Sequence, residues 1–82
     1  MKVRVRVMLR QDVLDPQGKA IGNALVALGF GGIKGVRQGK VIELELTETD
    51  PARGREQIEA MCRQLLANPV IEDYVIEIVP CG

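Results

Sequence analysis

A chain of 82 residues is too short to build two hydrophobic cores, so a single domain over residues 1–82 is expected. Eleven basic residues balance eleven acidic ones and the only aromatic residues are one Tyr and one Phe, which removes both the positive field and the stacking platforms of a nucleic-acid binder. There is no His, and Cys62 and Cys81 have neither metal-ligand spacing nor a disulfide framework, so a scaffold this small is expected to gain stability by association with copies of itself or with partners.

The first element runs from Lys2 to Leu9. Val3, Val5, Val7 and Leu9 alternate with Lys2, Arg4 and Arg6, the period of a strand with one buried and one basic face. Asp15-Pro16-Gln17-Gly18 then opens a helix, because Asp is a strong N-cap and Pro is favoured at the first helical position. Ile21, Ala24, Leu25 and Leu28 form its apolar stripe, and Gly29 with Phe30 is suited to close it. Gly18 and Gly22 each weaken such a helix by ~0.5–1 kcal/mol relative to Ala, a cost that a close approach of sheet or partner would explain.

The stretch from Ile33 to Glu48 is expected to organise the fold as its long central strand. In its second half Ile42, Leu44 and Leu46 alternate with Glu43, Glu45 and Thr47. Gln38-Gly39 makes it either one bent strand or a hairpin. Glu43 and Glu45 can pair with the basic face of the first strand for roughly 0.2–1 kcal/mol per pair. Asp50-Pro51 opens a second helix with the stripe Ile58, Met61, Cys62, Leu65 and Leu66, and Asn68-Pro69 stops it. In the last strand, within Val70 to Val79, Tyr74, Ile76 and Ile78 share one side, and Val75 and Val79 on the other are candidates for a subunit contact. The expected architecture is α+β: a two-layer sandwich in the order β-α-β(β)-α-β, with an antiparallel sheet and two helices packed on one face. It is ferredoxin-like if the middle stretch is a hairpin, and otherwise has one long bent central strand. No apolar run approaches the ~18 residues of a membrane span and no leader pattern opens the chain, so a soluble cytoplasmic protein is expected.

No catalytic constellation is legible. Cys62 falls on an apolar stripe with no His to act as its base. The Gly29 to Gly32 run follows a helix and leads into a strand, the reverse of a phosphate cradle. The polar bend Arg37-Gln38-Gly39-Lys40 could hold an anion or be an ordinary turn. These observations describe a small association module without an active site of its own, and a regulatory ligand-binding module acting as a dimer fits the same features.

Three blocks carry a resemblance: Asp15-Pro16-Gln17-Gly18; Val36 to Lys40 leading into Ile42-Glu43-Leu44; and Met61-Cys62 followed by Leu65 to Tyr74. In order and spacing, over nearly the whole chain, they resemble the PurS subunit family of phosphoribosylformylglycinamidine synthase. The resemblance implies a role in de novo purine biosynthesis, in a complex that converts formylglycinamide ribonucleotide, glutamine and ATP into formylglycinamidine ribonucleotide, glutamate, ADP and phosphate. It implies a non-catalytic small subunit, itself a homodimer or dimer of dimers, that bridges a large synthase subunit and a glutaminase subunit and helps confine the ammonia path. ATP and Mg belong to the large subunit, and no cofactor or metal is expected on this chain. The resemblance transfers no catalytic residue. The expected partner contacts are Asp15, Pro16, Gln17, Gly18, Arg37, Gly39, Lys40, Glu72, Asp73 and Tyr74, together with Val75 and Val79 from the face of the last strand.

Overall fold

The computed structural model describes residues 1–79; Cys81 lies outside them. The elements are strand β1 (Lys2–Leu9), helix α1 (Pro16–Ala27), strand β2 (Gly39–Glu45), helix α2 (Pro51–Met61), which continues into a π-helical turn (Cys62–Leu66), and strand β3 (Glu72–Val79). The three strands form one antiparallel sheet in the order β2-β1-β3. This is the expected α+β class and element order.

β1 is the central strand, and the Ile33 to Glu48 stretch is not. Val3, Val5 and Val7 are completely or almost completely buried, and β1 pairs along both of its edges. Alternation defines the faces of a strand but not its neighbours. No hairpin forms at Gln38-Gly39 either. Pairing stops at Met8 opposite Gly39, because β1 ends one residue later and offers nothing further to pair with. Residues 33–38 therefore lie outside the sheet.

α2 packs over the sheet on the β3 side, with Ile58 and Cys62 fully buried against the β1 valines and Ala67 beside them. Burying each Val or Ile side chain is worth about 1.5–3 kcal/mol, so this small cluster holds the body together. The π-helical turn shifts the stripe: the Ala67 N–H donates to the Cys62 carbonyl at 3.0 Å, five residues back, so Leu66 and Ala67 turn inward. Leu65, expected in the stripe, is 84% exposed as a result.

α1 departs from the expected two-helix layer, since no strand and no other helix packs substantially against it. Its ends are nevertheless sharply defined. Asp15 caps it by accepting from the Gly18 N–H at 2.9 Å. At the other end Phe30 N–H donates to Leu25 O and Gly29 N–H to Val26 O, with Gly29 at φ +98, the paired bonds of a Schellman closure. Helix and return segment project together as an arm. The radius of gyration is 16.1 Å, against about 12 Å for a compact chain of this length.

Candidate partner interface

The arm meets the body at a junction built from all three motif blocks. Asp15 accepts from two backbone donors: Gly18 in its own helix and, with the other carboxylate oxygen, Gln38 at 2.8 Å on the return segment. These N–H groups, Gln38 first, hold its carboxyl below the ordinary value near 3.8, and the Arg37 guanidinium adds to the effect. Arg37 reaches across to donate to the Leu9 carbonyl at the end of β1. A Cβ at Gly18 would sit 2.5 Å from the Val36 carbonyl oxygen, so only glycine lets the helix lie this close to the returning chain. Gly39 serves the same purpose against β1, where a Cβ would sit 2.5 Å from Val7 O.

The third block closes the other side of the junction. Asn68 N–H donates to the Glu72 carboxylate at 2.7 Å and Glu72 N–H returns to Asn68 O at 2.7 Å, which locks the turn into β3. Asp73 pairs with Arg10 at 3.6 Å, and Tyr74 packs against the core. Most of the predicted contact residues thus have structural work at the junction. Gln17 and Lys40 do not: with Asp15, Gly39 and Glu72 they line an open cleft of about 240 Å³. Lys40 has no ion-pair partner among the described residues.

On the opposite face of the sheet, Val75 joins Arg6, Met8, Gly39, Val41 and Asp73 around a shallow, largely apolar cleft of about 620 Å³. Val41 and Val75 are 56% and 55% exposed. Pro16 is exposed at the helix start, and Val79 lies opposite Lys2 at the far end of the sheet, so neither joins these clefts.

Sequence reasoning missed the largest feature of this surface. Leu14, Ile21, Val26, Leu28, Phe30 and Ile33 are all exposed along the arm. The signal was available in Gly29-Phe30-Gly31-Gly32 followed by six residues without alternation, a run that gives α1 no reason to fold back on its own sheet. Among the described residues no three His, Cys, Asp or Glu side chains gather as a metal-binding group. Burial pushes the Cys62 thiol up, with the Glu59 charge adding to it, which keeps the sulfur protonated and unreactive. No helix is long and apolar enough to cross a membrane among the described residues.

Comparison with known proteins matches residues 2–80 to the PurS family model, phosphoribosylformylglycinamidine (FGAM) synthase. The chain is 51% identical over 75 residues to the phosphoribosylformylglycinamidine synthase subunit PurS of Synechocystis sp., covering 92% of this chain and 75% of that one. The crystal structure of Methanocaldococcus jannaschii PurS, described as one of the subunits of formylglycinamide ribonucleotide amidotransferase, superposes with a TM-score of 0.89 at 40% identity, covering 99% of this chain and 98% of that one. A chain from the structure of PurLQS from Thermotoga maritima superposes with a TM-score of 0.83 at 34% identity, covering 93% of each.

Proposed function

This chain belongs to the PurS family, and from that premise we propose that it is the small subunit of phosphoribosylformylglycinamidine synthase in purine biosynthesis, part of a ligase complex and without catalytic residues of its own. Its role is to bridge the large synthase subunit and the glutaminase subunit and to help confine ammonia between them, with ATP and Mg held by the large subunit. One observation carries this reading: an arm of apolar side chains left uncovered by the chain's own body. A self-sufficient domain buries such a surface, whereas an assembly subunit presents it. The relative found in the PurLQS structure supports the same partners.

Reconstitution tests the proposal. Mixed with the large and glutaminase subunits, the chain is expected to be required for glutamine- and ATP-dependent amidine formation and for a large complex by light scattering. Full activity without it overturns the assignment. Lys40→Ala tests docking at the junction: weaker assembly with an unchanged fold is expected, whereas assembly unaltered by the substitution removes Lys40 from the interface.

A further inference from the structure

The sheet has two outer edges, and the hydrogen-bond alternation of an antiparallel ladder decides which backbone groups face each. Arg10 N–H donates to Ile71 O at 2.8 Å, and this pair continues the β1–β3 register in which Leu9 stands opposite Glu72. Every second pair is bonded, so Asp73, Val75, Glu77 and Val79 turn their N–H and C=O groups toward β1. On the other side Leu46 N–H donates to Met1 O at 2.7 Å. By the same alternation Val3, Val5 and Val7 bond to β2, which leaves the intervening residues of β1 for β3, in agreement. The N–H and C=O groups of Tyr74, Ile76 and Ile78 therefore point away from the sheet, and among the described residues no strand pairs along that edge.

Such an edge is a template for another strand unless the sequence blunts it. From Ile71 to Val79 there is no Pro, Gly or Lys, and all 8 residues of β3 pair with β1 without a bulge. The side chains at the three open positions are apolar and only half-buried, on the face that α2 covers. The opposite face is charged in rows. Glu43, Arg4 and Glu77 stand side by side across β2, β1 and β3, so this row reads acid, base, acid and stops at the open edge on an acid. Asp73, with a side chain 71% exposed, ends its row in the same way. The β3 edge thus carries Glu72, Asp73 and Glu77 and no base.

We propose that the β3 edge receives an extended segment of a different protein of the assembly, added as a further strand on the backbone groups of Tyr74, Ile76 and Ile78. On the α2 side of the sheet that segment is apolar and covers the same three side chains. On the other side it carries Lys or Arg opposite Asp73 and Glu77, which continues each row with the opposite charge. A second copy is the wrong occupant by charge, since a β3–β3 pair joins two edges that each hold Glu72, Asp73 and Glu77 and no base. Strand addition suits an assembly subunit, because main-chain bonds supply affinity over a short contact and alternate side chains supply selectivity. The inference rests on the reading of this chain as the small subunit of the synthase and specifies the surface and the backbone geometry by which it takes a larger subunit.

Amide exchange of the full chain tests it residue by residue, free and in the complex reconstituted with the large and glutaminase subunits. In the free chain the amides of Val75 and Glu77 are expected to be slow and those of Tyr74, Ile76 and Ile78 fast. In the complex the three fast amides are expected to slow at least about tenfold. Edge amides that stay fast in the complex overturn the proposal. So do edge amides already slow in the free chain and slower still at higher concentration, which place a second copy on the edge. Ile78→Pro and Ile78→Ala form a matched pair: both remove the side chain, but only Pro removes an N–H that makes no bond within the chain. With circular dichroism confirming both folds, Ile78→Pro is expected to bind its partners at least about tenfold more weakly than Ile78→Ala, because a partner carbonyl loses its donor. Equal binding overturns the proposal, and the amide exchange decides alone if the Pro variant is unfolded. Reconstituted activity separates the two readings. Activity that requires the chain while the edge stays fast removes the strand addition alone, whereas no complex with either subunit removes the subunit role and the occupant of the edge with it.

Discussion

The two helices of this protein begin alike and end in opposite environments. Both start at Asp-Pro, both are capped by the Asp carboxylate, and each buries one glycine in its first turns, Gly18 in α1 and Gly54 in α2. α1 is the more apolar helix, with Lys19 as its one charged residue, while α2 carries Arg53, Arg55, Glu56 and Glu59. Yet α2 is the helix that packs. The buried glycines show why: a Cβ at Gly54 would meet Met1 Sδ at 2.5 Å and Leu46 Cδ1 at 3.7 Å, so α2 seats on the body, whereas Gly18 seats α1 on its own return segment. Apolar content decides that a helix will be covered; the close contact at its first turns decides by what.

The largest test of this contrast sets one stripe residue against another. Ile58→Ala empties a fully buried site in the body and is expected to cost about 2–5 kcal/mol in urea unfolding. Leu28→Ala, at a position 74% exposed, is expected to shift the unfolding of dilute chain by less than about 0.5 kcal/mol. Comparable losses at the two positions would mean that α1 is covered within the monomer. Next come the glycines. Gly39→Ala pushes a methyl into Val7 O and Met8 and is expected to cost ~1–3 kcal/mol, with faster amide exchange at the β1–β2 end. Gly18→Ala meets Val36 O and the Asp15 carboxylate, so limited proteolysis of the arm is expected to quicken although Ala is the better helix former. An arm that resists protease as the wild type does would show that the junction has room to give.

What could be read in the sequence follows the same division. The Lys2 to Leu9 alternation, the two Asp-Pro starts, the Gly29 closure and the pairing of Arg4 with Glu43 are local signals, set by residues near in sequence or by one strand face, and the structure shows each of them. Strand order was not local: β2 alternates as cleanly as β1, but only β1 has valines at all three fully buried inward positions and partners on both sides. Leu65 was misplaced because a stripe drawn at 3.6 residues per turn fails where the chain widens into a π-helical turn. The junction was half legible. Its three blocks stood out by composition, but that Asp15 reaches Gln38 and Arg37 reaches Leu9 depends on a return path that no spacing encodes.

Acid provides a smaller test, directed at the arm alone. Asp15 has a folded value lowered from 3.8, so its ionised form supports the junction above that pH, and the support is lost as pH falls through the folded value. Below about pH 4 the arm is therefore expected to loosen before the body, whose buried core contains no carboxylate, seen as earlier exchange at the Gly18 and Gln38 amides than at Val5. In Asp15→Asn that early, pH-dependent step is expected to vanish. If it persists, some other group titrates at the junction.

The smallest expected effect belongs to the outer face of the sheet, the part of the body that resembles the arm in lying open. Glu43 is shared by Lys2 at 4.0 Å and Arg4 at 3.8 Å, and Glu77 by Arg4 at 3.9 Å and by Arg6. Arg4 is thus the node of the lattice, but its side chain is 41% exposed and both carboxylates keep a second cation when it is removed. Water and salt screen such pairs, so Arg4→Gln is expected to cost only about 0.2–1 kcal/mol at low ionic strength and nothing measurable near 1 M salt, where the Debye length falls to ~3 Å. A loss that survives high salt would mean that this face is desolvated in solution. The outer cleft at Val41 and Val75 would then be a covered surface like the one inferred for the arm, and the body would have a second side that it does not complete alone.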